Sequence, residues 1–198
     1  TKFKDALNHE WSESPTNTVE PGRGCTTHVS VLDKNGNCAS VTTSNGEGSG
    51  YIIPNTGIML NNMLGEEDLN PHGFHNWTAP RRLPTMMSPT LIMKGNIPEM
   101  VVGSGGSNRI RSAIVQVILN YFCKGYSLEK SIEDPRMHFE AGNLYCEPGL
   151  PINMNSLPEE VLLKEFTDKN LFFGGVNAVT KDTAFSDRRR GGTTIILD

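Results

Sequence analysis

Two runs of alternating residues, 27–33 and 37–44, carry their β-branched positions at Val29, Val31 and Val41, with Thr42 and Thr43 following. Alternation of period two predicts strands, and the Asn35-Gly36 dipeptide between them predicts a hairpin turn. SPTLIM (88–93) and EMVVGS (99–104) repeat the pattern around Lys94-Gly95-Asn96. Then the period changes. Ile110, Ile114, Val117, Ile118 and Phe122 recur at helical spacing, which predicts an amphipathic helix over 108–123. Ser127 is placed to cap a second helix that Pro135 ends.

Downstream, Tyr145-Cys146-Glu147 reads as a short strand. PEEVLLKEFTDKN (158–170) reads as a helix with Pro158 at its start and acids in the first turn. LFFGGVNAVT (171–180) and GGTTIILD (191–198) read as closing strands. GIMLNN (57–62) reads as a short buried strand, and 63–82 as a long irregular loop of the kind that often carries function. Strands, then helices, then strands predict an α+β fold with helices packed outside stacked antiparallel sheets.

Residues 1–25 differ from the rest: they are polar, rich in Ser, Pro, Asn and Glu, with at most one helical turn near 2–8. The chain opens without an initiator Met and without a signal peptide, so a fragment or a processing product is expected. The charge of −4 gives no reason to expect nucleic acid or an anionic membrane, and no apolar run approaches a spanning helix. The four cysteines have no C-x-x-C spacing and read as free thiols. HGFH (72–75) lacks partners for a metal, and Arg188-Arg189-Arg190 reads as a solvated turn. No cofactor motif is present.

Candidate chemistry sits at the head of the first strand. A threonine hydroxyl is a weak nucleophile, but the free α-amine of the same residue, with a pKa of about 7.7–8.0, can serve as its base. Thr26 becomes such a group if the Cys25–Thr26 bond is cut. Acyl transfer also needs N–H donors for the developing oxyanion, and the SGGSN turn (104–108) before the helix can supply them.

Taken in order, TTHVSVLDKNGN, the glycine-rich stretch with Asn45, TGIMLNN, SPT, GSGGSNRI and DPRMH resemble the small subunit of γ-glutamyltranspeptidases. The resemblance runs over about residues 26–190 and implies an N-terminal nucleophile (Ntn) hydrolase with an αββα sandwich, of which this is the small-subunit half. It implies a precursor that cuts itself before Thr26, with residues 1–25 as the pre-cleavage linker and 26–198 as the catalytic region. Thr26 would be both processing residue and nucleophile, with Ser44 beside it where the family has Thr.

Gly106 and Ser107 would form the oxyanion hole, the serine replacing a glycine. Asn45 would bind substrate, Glu66 or Glu67 would grip its α-amino group, and Thr85-Met86 stands where the family has a Ser pair for the α-carboxylate. Met63 replaces a further polar residue after LNN. The implied partners are the large subunit of the same precursor, which contributes an Arg, and a small γ-glutamyl substrate such as glutathione. A related acylase, a poly-γ-glutamate processing enzyme and an uncleaved binding module are the alternatives.

Overall fold

The structure is a computed structural model that describes residues 26–66, 69–78, 80 and 82–197. The linker 1–25, Cys25 and Glu67 lie outside the described residues. The first hairpin forms as the sequence predicts: β1 (Thr26–Leu32) and β2 (Cys38–Ser44) pair antiparallel, Thr26 opposite Ser44. The second hairpin, β3 (Thr90–Lys94) and β4 (Ile97–Gly105), joins β8 (Gly175–Thr180) and β9 (Ala184–Ser186) in a four-stranded antiparallel sheet ordered β3-β4-β8-β9.

β4 and β8 are buried on both faces, which orders the layers. Met100 and Val102 of β4, with Val176 and Ala178 of β8, face the helices. There they meet Ile110, Ala113, Ile114 and Val117 of α1 (Arg109–Ile118), and Leu128 and Ile132 of α2 (Leu128–Glu133). Ser127 caps α2, its hydroxyl accepting the Lys130 N–H. The opposite face of the sheet carries the β1–β2 hairpin. The result is helices, sheet and hairpin in three stacked layers.

The hairpin lies against the sheet by its polar face. His28, Ser30 and Ser40 point inward, while Val29, Val31 and Val41 are about half exposed on the outer face. Close approach is possible because β4 presents Gly103 and Gly105 to it. A Cβ on Gly103 would collide with the His28 ring, and one on Gly105 would stand 2.6 Å from the Thr26 carbonyl oxygen.

Several expectations are corrected. The segment 158–170 is not helical: after a turn at 158–161, β7 (Leu162–Glu165) runs parallel to β6 (Asn143–Cys146), itself antiparallel to β5 (Met137–Glu140). β7 satisfies a β6 edge that would otherwise stand open, and that pairing outweighs local helical preference. GIMLNN is not a buried strand: it makes one isolated bridge, Ile52 to Met59, and Ile58, Met59 and Leu60 are exposed. No strand among the described residues lies beside it to bury the run.

Likewise no strand forms over 193–197, where Ile195, Ile196 and Leu197 are exposed. The strand expected over 171–180 is confined to β8, because Leu171–Phe173 forms a 3-10 turn. The predicted helix 108–123 passes from α1 into a π turn at Leu119–Cys123. The wider turn brings Tyr121 against the core and leaves Phe122 exposed. Cys38, Cys123 and Cys146 are free thiols.

Candidate active site

At the head of β1 the Thr26 Oγ1 lies 2.7 Å from the Ser44 Oγ, a contact set directly by the Thr26–Ser44 register. The Gly46 N–H donates to Ser44 Oγ at 3.0 Å, so the serine's own proton is free to point at Thr26 Oγ1. In that arrangement the threonine proton is left for a base. Two residues on, His28 is 4% exposed and fully paired: Ser30 Oγ lies 2.8 Å from Nε2 and Thr42 Oγ1 lies 2.7 Å from Nδ1. Ser30 donates onward to the Asn177 carbonyl, so it accepts from Nε2–H and Thr42 donates to Nδ1. This is a neutral imidazole, and burial pushes its pKa down to about 4.

The loop after Ser44 folds back on itself. The Asn45 carbonyl accepts the Gly48 and Asn62 N–H groups, and Asn62 Oδ1 accepts the Glu47 N–H at 2.7 Å. Glu66, at the end of the 3-10 turn Met63–Gly65, brings its Oε1 against Gly46 beside Asn62 Oδ1. Gly46, at φ +66, has no side chain to block them. Thr26, Ser44, Asn45 and Glu66 therefore share one corner.

Gly106 and Ser107 form the turn from β4 into α1, with φ of +135 and +52. Only a residue without Cβ fits the first of these, where a side chain would meet Gly174 at 2.6 Å. The second is left-handed backbone that the serine tolerates. Gly105, against the Thr26 carbonyl, places this turn next to the β1 head. The Arg109 and Ile110 N–H groups bond back to the Gly106 and Ser107 carbonyls, which fixes the turn at the start of α1. Thr85 and Met86 are not drawn into the corner: Thr85 is exposed and accepts the Met87 N–H, and Met86 packs against the core.

Sequence reasoning missed His28, Asn177 and the 187–193 strap. Thr26, Gly105, Gly175, Asn177, Arg190 and Gly192 line one cavity of about 280 Å³, with Asp187 also on its wall. The arginine triple is not simply a solvated turn. Arg189 is 1% exposed at its side chain, forked onto Glu147 at 2.6 and 2.7 Å and paired with Asp187 at 3.3 Å, while Asp187 takes buried Arg136 at 2.6 Å. Only Arg188 of the three is well exposed. Glu147, which takes the Arg189 fork, lies 42 residues away in sequence, and no local pattern reveals it.

The fold defines the class: this is half of an Ntn-hydrolase sandwich, an α+β stack of antiparallel sheets with helices outside. A family model described as Gamma-glutamyltranspeptidase matches residues 2–197, and the chain belongs to that family. It is 35% identical over 149 residues to the "Glutathione hydrolase proenzyme" of Bacillus subtilis (strain 168), covering 74% of this chain and 25% of that protein. It is 32% identical over 177 residues to the "Capsule biosynthesis protein CapD proenzyme" of Bacillus anthracis, covering 85% and 33%.

The solved structure of Bacillus anthracis transpeptidase enzyme CapD superposes with a TM-score of 0.65 at 28% identity, over 86% of this chain and 99% of that one. The chain spans about a quarter to a third of the length of the curated relatives it matches. Among the described residues, no helix is long and apolar enough to cross a membrane.

Proposed function

We propose that this chain supplies the nucleophile-bearing half of a γ-glutamyl amide hydrolase and acyltransferase, made as a precursor and activated by cutting the Cys25–Thr26 bond. The observation that carries the reading is the 2.7 Å contact of Thr26 Oγ1 with Ser44 Oγ at a strand head packed on Gly105. Once cut, Thr26 has an α-amine that takes the Oγ1 proton as the oxygen attacks the γ-carbonyl. The Gly106 and Ser107 N–H groups stabilise the oxyanion. Collapse expels the amine half of the substrate, which leaves with that proton. Water or an acceptor amine then attacks the ester and restores Thr26.

Residues 1–25 are the linker released from the front of this region, and 26–198 the catalytic small subunit. Asn45 binds substrate and Glu66 or Glu67 grips its α-amino group, while Thr85 and Met86 hold the sequence position of the carboxylate pair but stand outside the Thr26 corner. Both relatives are named as proenzymes, which supports the precursor, and the name glutathione hydrolase supports the γ-glutamyl chemistry. Met86 packed on the core leaves Thr85 as the sole hydroxyl of its pair, which favours an amide other than glutathione as the second reading.

The remainder of the precursor is the partner. Two strands alone are marginal, and the β1–β2 hairpin turns Val29, Val31 and Val41 outward. That remainder covers this apolar face in the assembled enzyme. The test is Thr26→Ala in the full precursor, assayed on γ-glutamyl-p-nitroanilide. Turnover falls by a factor on the order of 10³ or more; retained turnover contradicts the assignment.

A further inference from the structure

Arg190 stands on the wall of the Thr26 cavity, which Asp187 also lines. Its neighbour in sequence, Arg189, is forked onto Glu147, and the Asp187 carboxylate is held by Arg136, Arg189 and the Val176 N–H. Among the described residues, no carboxylate lies within ion-pair distance of Arg190. Its stem lies along Gly175, its Nε donates to the Leu171 carbonyl at 3.2 Å, and its Nη2 comes close to Gly106.

The guanidinium is held there against its own electrostatics. Burial and the nearby Arg109 push its pKa down, and the Asp187 carboxylate, already engaged by Arg136 and Arg189, offsets them only in part. A half-buried cation beside a cavity of about 280 Å³ is relieved by an anion, and the planar fork of arginine suits a carboxylate.

The side of the cavity identifies which carboxylate. Ser44, Asn45, Glu66 and Thr85, the residues assigned to the glutamyl end, do not line it. The cavity instead opens from Thr26 towards Asn177, Arg190 and Thr193. We propose that Arg190 forms a carboxylate subsite on the leaving-group side of Thr26, selecting γ-glutamyl donors and acceptors whose amine half bears a carboxylate. This rests on the acyl-transfer reading above.

The test uses the cleaved, assembled enzyme and two donors: γ-glutamylglycine, with a carboxylate on its leaving group, and γ-glutamyl-p-nitroanilide, without one. In Arg190→Gln the ratio of kcat/KM for the first over the second falls about ten- to a hundredfold, the span of one charge-assisted hydrogen bond. Arg190→Lys restores part of it, as a point charge without the fork. A ratio unchanged in Arg190→Gln overturns the subsite, and so does an equal fall on both donors, which would assign Arg190 to the oxyanion or to folding.

Should Arg190→Gln fail to assemble, the wild type decides between γ-glutamylglycine and its C-terminal amide. A preference of about tenfold for the free carboxylate supports the subsite, and no preference overturns it. A cleaved wild type that turns over no γ-glutamyl donor refutes the acyl-transfer reading itself, and the subsite falls with it.

Discussion

Gly105 lies where the Thr26 backbone crosses β4, and its missing side chain decides how closely the two strands meet. A Cβ there would stand 2.6 Å from the Thr26 carbonyl oxygen, backbone that can yield only by moving the strand head. Gly105→Ala therefore costs about 1–3 kcal/mol by overpacking, read as a lower Tm of the assembled protein; an unchanged Tm contradicts this packing. His28 makes a second residue-scale prediction. Its folded pKa of about 4 lies below its ordinary value of 6.5, so the unfolded chain takes up a proton first as pH falls. The stabilisation is complete above about pH 6.5 and is lost as pH falls to about 4, on the order of 3 kcal/mol in all. Melting curves over that range should show the loss in the wild type and much less of it in His28→Gln; equal slopes contradict a neutral buried imidazole. That Thr26 heads a strand and that a glycine turn precedes α1 were legible in the sequence, because a strand head and a glycine turn are local patterns. The fit of His28 to Gly103 was not, because it joins two segments that nothing local connects.

Among the elements, the hairpin signals were the surest. Asn35-Gly36 and Lys94-Gly95-Asn96 lie where β1–β2 and β3–β4 turn, since a short glycine-bearing loop dictates its own geometry. The failures share a cause: PEEVLLKEF, GIMLNN and GGTTIILD were judged by their own composition, whereas neighbours set their outcome. β7 found an open β6 edge, and the other two runs found no strand among the described residues. Alternation alone does not say which face turns inward. It predicted β1 correctly, yet the face carrying the valines turns away from the sheet, and the polar face turns in, where His28, Ser30 and Asn177 satisfy one another. An apolar outer face needs a cover, and burying a valine contributes about 1.5–3 kcal/mol. Val29→Lys combined with Val41→Glu in the full precursor should weaken association of the two processed pieces, seen as their separation on size-exclusion chromatography. Co-elution like the wild type contradicts a covered hairpin face.

On the scale of the whole molecule, the described residues form three layers, with Thr26 where the hairpin layer meets the start of α1. The buried Arg136, Asp187, Arg189 and Glu147 tie the 187–193 strap to the loops around β5 and β6, so that Arg190 and Gly192 close the far side of the Thr26 cavity. Removing one member of such a buried network leaves an uncompensated charge, whereas the intact set fixes one arrangement. Everything proposed for this architecture turns on one bond. While Cys25 is attached, the Thr26 nitrogen is an amide without basicity, and the hydroxyl has no base of its own residue. Expression of the full precursor followed by N-terminal sequencing and intact mass tests this most directly. The account predicts a fragment beginning at Thr26, and none in Thr26→Ala. A wild-type precursor that remains one chain through purification, with the Cys25–Thr26 bond whole, would contradict it.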